Sequence, residues 1–216
     1  MSYLLKKELD KMKNNLLSLG AMIEERLQMM SNSIEYMDTQ MAKRIIAGDY
    51  EIDEAEVAIE EECLKMLALY QPVAIDLRFL VAVIKINNDM ERIADLAVNV
   101  AHRVIVASKE KEQIFTFDYM EMARRVKQML KQSLDAFVNM DLDLAKTING
   151  MDDAVDRIKN QAYDATKDIL RNYPEKAGYI INMFLISRHL ERIADLATNI
   201  AEEIIYIIEG EIVRHC

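Results

Sequence analysis

Turn-forming residues are scarce in this chain. Its 216 residues include only 5 Gly and 2 Pro, too few to punctuate the many hairpins of a β-sandwich or barrel. Trp is absent, and the two cysteines, Cys63 and Cys216, build neither a disulfide framework nor a thiolate metal site. Cys63, within Glu61-Glu62-Cys63-Leu64-Lys65, reads as an inert packed thiol. His102, His189 and His215 are the only histidines. Asn99, Ile186 and Ile212 stand three residues before them, so the Glu-x-x-His motif of ferritin-like di-metal bundles is missing. A Gly-x-x-x-x-Gly-Lys phosphate loop, a Gly-x-Ser-x-Gly elbow and a Cys/His nucleophile signature are missing as well. Positive charge is in deficit: 27 Lys and Arg face 37 Asp and Glu, a net −10. That balance disfavours nucleic acid and anionic lipid as general partners. The longest apolar runs, near 79–84 and 204–208, fall short of the ~20 residues of a bilayer span. Met1-Ser2-Tyr3-Leu4-Leu5-Lys6-Lys7 has no signal-peptide core. The expectation is a soluble, cytoplasmic protein with no direct membrane insertion.

What is abundant favours helix: Ala, Leu, Ile, Met, Glu, Lys and Arg dominate. An apolar fraction of 51 % is too high for a disordered acidic chain. Helical periodicity is nearly continuous, so the few breaks locate the turns. Gly48 precedes Asp49, a suitable N-cap. Pro72 suits the first turn of a new helix, and Pro174, after Asn172-Tyr173, marks the matching turn. Asp118-Tyr119-Met120-Glu121 resembles a capping box, and Gly150 and Gly210 mark further ends. Gly20 and Gly178 read as tolerated interior glycines. The predicted helices are 3–47, 49–70, 73–108, 117–148, 152–172 and 175–209. Fifteen methionines, six of them (Met12, Met22, Met29, Met30, Met37, Met41) in the first helix, read mainly as core filling, with an adaptable partner surface as the other reading. Ile204-Ile205-Tyr206-Ile207-Ile208 is apolar all round and calls for burial or a covering chain.

The helix list repeats itself. Met90-Glu91-Arg92-Ile93-Ala94-Asp95-Leu96-Ala97-Val98-Asn99-Val100-Ala101 matches Leu190-Glu191-Arg192-Ile193-Ala194-Asp195-Leu196-Ala197-Thr198-Asn199-Ile200-Ala201 at nine of twelve positions, 100 residues apart. Asp49 and Asp53 stand against Asp152 and Asp156, at an offset of 103. The fold class expected is all-α: two tandem three-helix bundles, six helices, with domains 1–110 and 115–216. The hinge falls near 109–116, which has no flexible Gly/Ser linker, and the long helices are expected to pack side by side.

Asp49 and Asp53, Glu91 and Asp95, Asp152 and Asp156, and Glu191 and Asp195 are four i, i+4 acidic pairs, each on one helix face. Like charges at that spacing cost a few tenths of a kcal/mol, so their duplication needs a reason. Asp53 lies 19 residues before Pro72 and Glu91 19 after it; Asp49 and Asp95 lie 23 before and after. In an antiparallel hairpin of equal rise the two pairs are level. The second repeat matches about Pro174 to within a residue. If the faces also match, four carboxylates converge in each repeat, and a bound cation makes that favourable. Hard oxygen donors suit Mg²⁺, Mn²⁺, Ca²⁺ or iron; zinc stands beside them as a candidate. The candidate metal ligands are therefore Asp49, Asp53, Glu91, Asp95, Asp152, Asp156, Glu191 and Asp195. Plainer readings stand next to this one. Asp49 and Asp152 suit helix caps, Glu191 suits a pair with Arg188, and Arg92 and Arg192 suit neutralising roles. His189, two residues before Glu191, is the one histidine close to the acidic residues and reads chiefly as structural.

These segments together resemble the PhoU family of bacterial phosphate-signalling regulators. In the first half the resemblance rests on Gly48-Asp49-Tyr50-Glu51-Ile52-Asp53, Gln71-Pro72-Val73-Ala74-Ile75-Asp76-Leu77-Arg78 and Met90-Glu91-Arg92-Ile93-Ala94-Asp95. In the second it rests on Asp141-Leu142-Asp143-Leu144-Ala145, Met151-Asp152-Asp153-Ala154-Val155-Asp156, His189-Leu190-Glu191-Arg192-Ile193-Ala194-Asp195 and Glu209-Gly210-Glu211-Ile212-Val213-Arg214-His215. Ala94 and Ala194 depart from the family, which commonly has Gly there. The resemblance implies two three-helix repeats whose acidic motifs bind metal in relatives, including multinuclear iron clusters. It also implies a cytoplasmic regulator, often a homodimer, that restrains phosphate uptake and starvation signalling. The implied partners are the ATPase subunit of a phosphate ABC transporter and the sensor histidine kinase of the phosphate regulon. Two other classes stand as alternatives: a carboxylate-metal phosphoesterase, and a plain helical interaction protein without metal. An acidic surface disfavours free phosphate unless bound cations reverse the local sign.

Overall fold

The computed structural model describes residues 3–110 and 117–210. Among them the regular structure is entirely helical: α1 (Tyr3–Tyr36), α2 (Thr39–Ala47), α3 (Asp49–Tyr70), α4 (Ile75–Ala107), α5 (Tyr119–Asn139), α6 (Leu142–Asn149), α7 (Asp152–Asn172) and α8 (Ala177–Glu209), with a 3₁₀ turn at Pro174–Lys176 before α8. The six-helix, two-repeat plan is present, with the first helix of each repeat broken near its end. The expected hinge at 109–116 lies mostly outside the described residues.

Both breaks are corrections to the predicted helices 3–47 and 117–148. Met37 and Met140 adopt positive φ, 47° and 50°. Each is followed by an aspartate that caps the next helix: Asp38 accepts from the backbone N–H of Gln40 and Met41 at 2.9 and 3.0 Å, and Asp141 from that of Leu144 at 3.0 Å. A left-handed residue ends one helix and the Asp starts another. Two smaller corrections concern the helices after the prolines. α4 starts at Ile75 rather than 73, because Ala74 takes φ 52° and ψ −119°. α8 starts at Ala177 rather than 175, because Pro174–Lys176 form a 3₁₀ turn ahead of it.

α4 and α8 form the central pair and run antiparallel. Lys85, early in α4, meets Glu203, late in α8, while Arg103, late in α4, meets Asn182, early in α8. Ala94, Ala97, Ala101, Ala194, Ala197 and Ala201 are all at most 1 % exposed. Small side chains there let the two helices approach closely, and the hydroxyl of Ser133 on α5 donates to the Ala197 carbonyl at 3.0 Å. α1 and α5 make a second inter-repeat contact. Gly20 of α1 faces Leu134 of α5, where an added Cβ would lie 2.8 Å from Leu134 Cδ1. The buried hydrophobic side chains form one continuous cluster through both repeats, at about 1.5–3 kcal/mol for each large side chain buried. Met12 and Met30 are fully buried and Met22, Met29 and Met37 pack against the core, so the methionines of the first helix are mainly core filling. Ile204, Ile205 and Ile207 are at most 1 % exposed, which places the apolar turn of α8 inside. Cys63 is fully buried, and that burial pushes its thiol up to about 12.

The repeated twelve-residue segment now divides into two functions. Of its nine identical positions, Ile93, Ala94, Leu96, Ala97 and Ala101 are buried, as are their counterparts in α8. Glu91, Arg92, Asp95 and Asn99 face outward or stand half-buried, again like their counterparts. Five positions build the helix crossing and four remain for chemistry.

Candidate functional site

α3 and α7 begin at Asp49 and Asp152. Both acids are the first helical residue, not the cap: Gly48 and Met151 hold the cap positions, and neither α3 nor α7 has a side-chain cap hydrogen bond. The capping reading of Asp49 and Asp152 is thereby corrected. Oδ1 of each is buried and without a hydrogen-bond partner. The helix N-terminus favours a carboxylate there, yet one oxygen in each repeat remains available to something else.

In the first repeat Asp49 is raised above the ordinary aspartate range by burial and then by Asp53 and Asp95, with Arg26 acting against them. Glu91 is raised by burial and then by Asp95, Asp53, Glu56 and Asp49. The four predicted acids thus lie within electrostatic range of one another. In the second repeat Asp152 is pushed up to about 6 by burial and by Asp195, Asp156, Glu191 and Asp153. Asp195 is raised by burial, Glu191 and Asp156, while Lys159 and Arg192 act against them. Asp53, Asp95 and Asp195 are exposed and the other five acids half-buried; repulsion among them favours the protonated form or a cation. As the side chains stand, no three His, Cys, Asp or Glu among the described residues are grouped to hold a metal ion. The donor set and the two orphaned buried oxygens suit a hard cation.

Two participants were missed from the sequence. Lys159 Nζ lies 3.0 Å from Glu191 Oε1 and 3.6 Å from Asp156 Oδ1. Glu191 therefore meets an ammonium from α7 rather than the suggested Arg188 of its own helix. Glu56 joins the first cluster through Glu91. The signal for both was their position three residues after Asp53 and Asp156 on the same helix. Arg92 lies 3.5 Å from Asp89 on its own helix. His189 has both ring nitrogens buried and without hydrogen-bond partners. Burial and then Arg103, Arg192 and Arg188 hold it down at about 4, so its ionic surroundings are arginines.

Between the two clusters, on the approximate twofold axis relating α4 to α8, a cleft of about 340 Å³ is lined by Arg92, Asp95, Asn99, Arg192, Asp195 and Asn199, with Leu96 and Leu196. A larger cleft of about 530 Å³ lies between α3, α4 and the end of α8, with Glu56, Glu60, Asp89, Glu202 and Glu203 against Lys85. Among the described residues, no helix is long and apolar enough to cross a membrane.

Comparison with known proteins matches the PhoU domain twice, at residues 16–104 and 119–204. The phosphate-specific transport system accessory protein PhoU homolog of Aquifex aeolicus is 35 % identical over 209 residues, covering 97 % of this chain and 95 % of that protein. The crystal structure of PhoU from Pseudomonas aeruginosa superimposes with a TM-score of 0.92 at 33 % identity, covering 95 % of this chain and 99 % of the other. The phosphate transport system regulatory protein PhoU from Streptococcus pneumoniae gives 0.88 at 28 % identity, with 97 % and 99 % covered.

Proposed function

Because the chain belongs to the PhoU family, we propose that it is a regulatory accessory protein of phosphate transport, acting as a non-enzymatic adaptor. The observation that carries this reading is the double PhoU domain match, joined to relatives covered over nearly their whole length. Those relatives are named as accessory or regulatory proteins of phosphate transport. In the finer reading the protein is cytoplasmic and homodimeric. It contacts the ATPase subunit of a phosphate ABC transporter and the cytoplasmic part of a sensor histidine kinase, and restrains uptake and starvation signalling when phosphate is plentiful.

The acidic clusters are proposed to bind cations. Asp49, Asp53, Glu91 and Asp95 would hold a hard divalent cation or iron in the first repeat, and Asp152, Asp156, Glu191 and Asp195 are the corresponding residues of the second. A bound cation supplies local positive charge on an otherwise acidic face. The orphaned Oδ1 atoms of Asp49 and Asp152 support this.

Deletion of the gene in its own host is expected to leave phosphate-starvation genes active in excess phosphate, with repression restored by the wild-type copy. Unchanged repression in the deletion strain overturns the adaptor reading. Elemental analysis of native protein beside Glu91→Ala/Glu191→Ala tests the metal assignment separately: equal metal content in the two removes it.

A further inference from the structure

The two acidic clusters follow one plan but differ at one register position. Three residues beyond the second aspartate of the helix pair, the second repeat has Lys159 and the first has Glu56, at the same offset of 103 that relates Asp53 to Asp156. The Lys159 side chain is only 23 % exposed, and its ammonium touches one acid from each helix of the cluster, Asp156 of α7 and Glu191 of α8. The twin position is opposite in charge. Glu56 is held toward α4 by Asn87, whose Nδ2 donates to the Glu56 carbonyl at 2.9 Å and to its Oε1 at 3.3 Å, and it adds negative potential at Glu91. The second cluster, to which Asp153 adds a further carboxylate, thus has a built-in cation at this register position. The first has a carboxylate there instead, with Arg26 acting on Asp49; each cluster keeps one buried aspartate oxygen without a partner.

Resting on the reading that these clusters bind cations, we infer that they are not equivalent: Lys159 is the resident counter-ion of the second cluster, and the first is the tight divalent-cation site. A divalent ion entering the second cluster must displace an ammonium already seated on Glu191 or sit beside it against like-charge repulsion. The same ion entering the first cluster meets Glu56, which attracts it. At the 3.0 and 3.6 Å that separate Lys159 from its two acids, one such charge changes a Kd by about tenfold or more. The asymmetry makes one repeat the more cation-responsive and leaves the other partly neutralised by its own lysine, so a cation would alter chiefly one half of the outward face.

The test is Mn²⁺ binding to full-length protein stripped with chelator, with free Mn²⁺ read from its paramagnetic resonance signal and bound Mn²⁺ by elemental analysis. Circular dichroism melts confirm that each variant is folded. Wild type is expected to show one tight class of sites, lost in Glu91→Gln/Asp95→Asn and retained in Glu191→Gln/Asp195→Asn. Lys159→Glu is expected to gain a second class, bound about tenfold or more tighter than wild type binds Mn²⁺ at that cluster. Glu56→Lys is expected to lose the first class. Lys159→Gln serves if Lys159→Glu does not fold, with the same direction of effect. Equal loading of both clusters in wild type, or a second cluster indifferent to residue 159, overturns this inference and leaves the metal reading standing. Failure of every variant and of wild type to retain Mn²⁺ overturns both.

Discussion

Lys85 Nζ lies 3.0 Å from each carboxylate oxygen of Glu203 and so ties the start of α4 to the end of α8 across the two repeats. The Glu203 side chain is 8 % exposed and that of Lys85 38 %. The pseudo-symmetric positions, 100 residues away, hold Leu185 and Arg103, and there Arg103 donates to Asn182 at 3.2 Å instead. The two ends of the crossing are therefore held differently: Lys85–Glu203 at one, and Arg103–Asn182 with the longer Lys176–Glu110 pair at 3.8 Å at the other. Lys85→Met deprives a nearly buried carboxylate of its ammonium. Urea denaturation is expected to show a loss of about 2–3 kcal/mol, below the fully buried range because Lys85 is partly solvated. Lys85→Met/Glu203→Met is expected to lose less than the single change, and an equal or larger loss would refute that account.

Arg26 fastens the junction that presents the first acidic cluster. Its guanidinium donates to the carbonyls of Ile45 at 2.6 Å and Gly48 at 3.0 Å, filling acceptors at the end of α2. Arg26→Ala is expected to cost about 1.5–3 kcal/mol, the range for hydrogen bonds from a charged donor. Gly48→Ala is expected to destabilise as well, since an added Cβ would stand 2.9 Å from both terminal nitrogens of Arg26. Thermal melts read both effects; a neutral Gly48→Ala would mean that the guanidinium shifts freely.

The two helix breaks offer a paired prediction. Asp38→Ala and Asp141→Ala each remove a cap and are expected to cost about 1 kcal/mol. Met37→Gly and Met140→Gly place the permissive residue at positive φ and relieve about 1–2 kcal/mol of left-handed strain, partly offset by lost packing at Met37, which touches the core. Denaturation midpoints of the four variants test whether the breaks are built by the same two residues in both repeats.

Stability of the chelated protein depends on pH through the raised carboxyls. Asp152 is pushed up to about 6, above its unfolded value of 3.8. Its folded state therefore binds protons more readily than its unfolded state between those values. The stabilisation is fully present below pH ~3.8 and is lost as pH rises through ~6. Between pH 7 and 5, this site is expected to raise the melting temperature. Asp152→Asn is expected to flatten that portion of the profile and raise the melting temperature at pH 7. A parallel profile in the variant would show that Asp152 does not titrate there.

Cys63 is expected to be silent toward thiol reagents in the native state, because it is fully buried and its thiolate is strongly disfavoured. Modification of this residue should follow global unfolding across a denaturant series. Reaction at a rate independent of denaturant would indicate local opening of α3.

The duplicated elements were legible because their signals are local. Gly48, Pro72, Gly150 and Pro174 are residues whose backbone preferences resist uninterrupted helix, and the nine shared positions around Glu91 and Glu191 need no structure to be noticed. The breaks at Met37 and Met140 escaped because Met is a good helix former and the interruption comes from its left-handed backbone with the following Asp. Only the recurrence of Met-Asp at an offset of 103 marked them. Counting from the prolines set the acidic pairs level, since rise along a helix is constant. Counting said nothing of which side chain would reach across from the facing helix.

Sequence alone determined that the chain is helical and duplicated, and that four acidic pairs share two helix hairpins. Composition, spacing and repetition are one-dimensional properties and survive without coordinates. Tertiary structure decided which acids stand apart from capping, which helices cross on alanines, and that Glu191 meets Lys159. Those outcomes depend on rotation about helix axes and on close packing between helices, so residues more than thirty positions apart become neighbours. The same packing seats Lys159 on the second carboxylate cluster, where the first has Glu56 at the matching position.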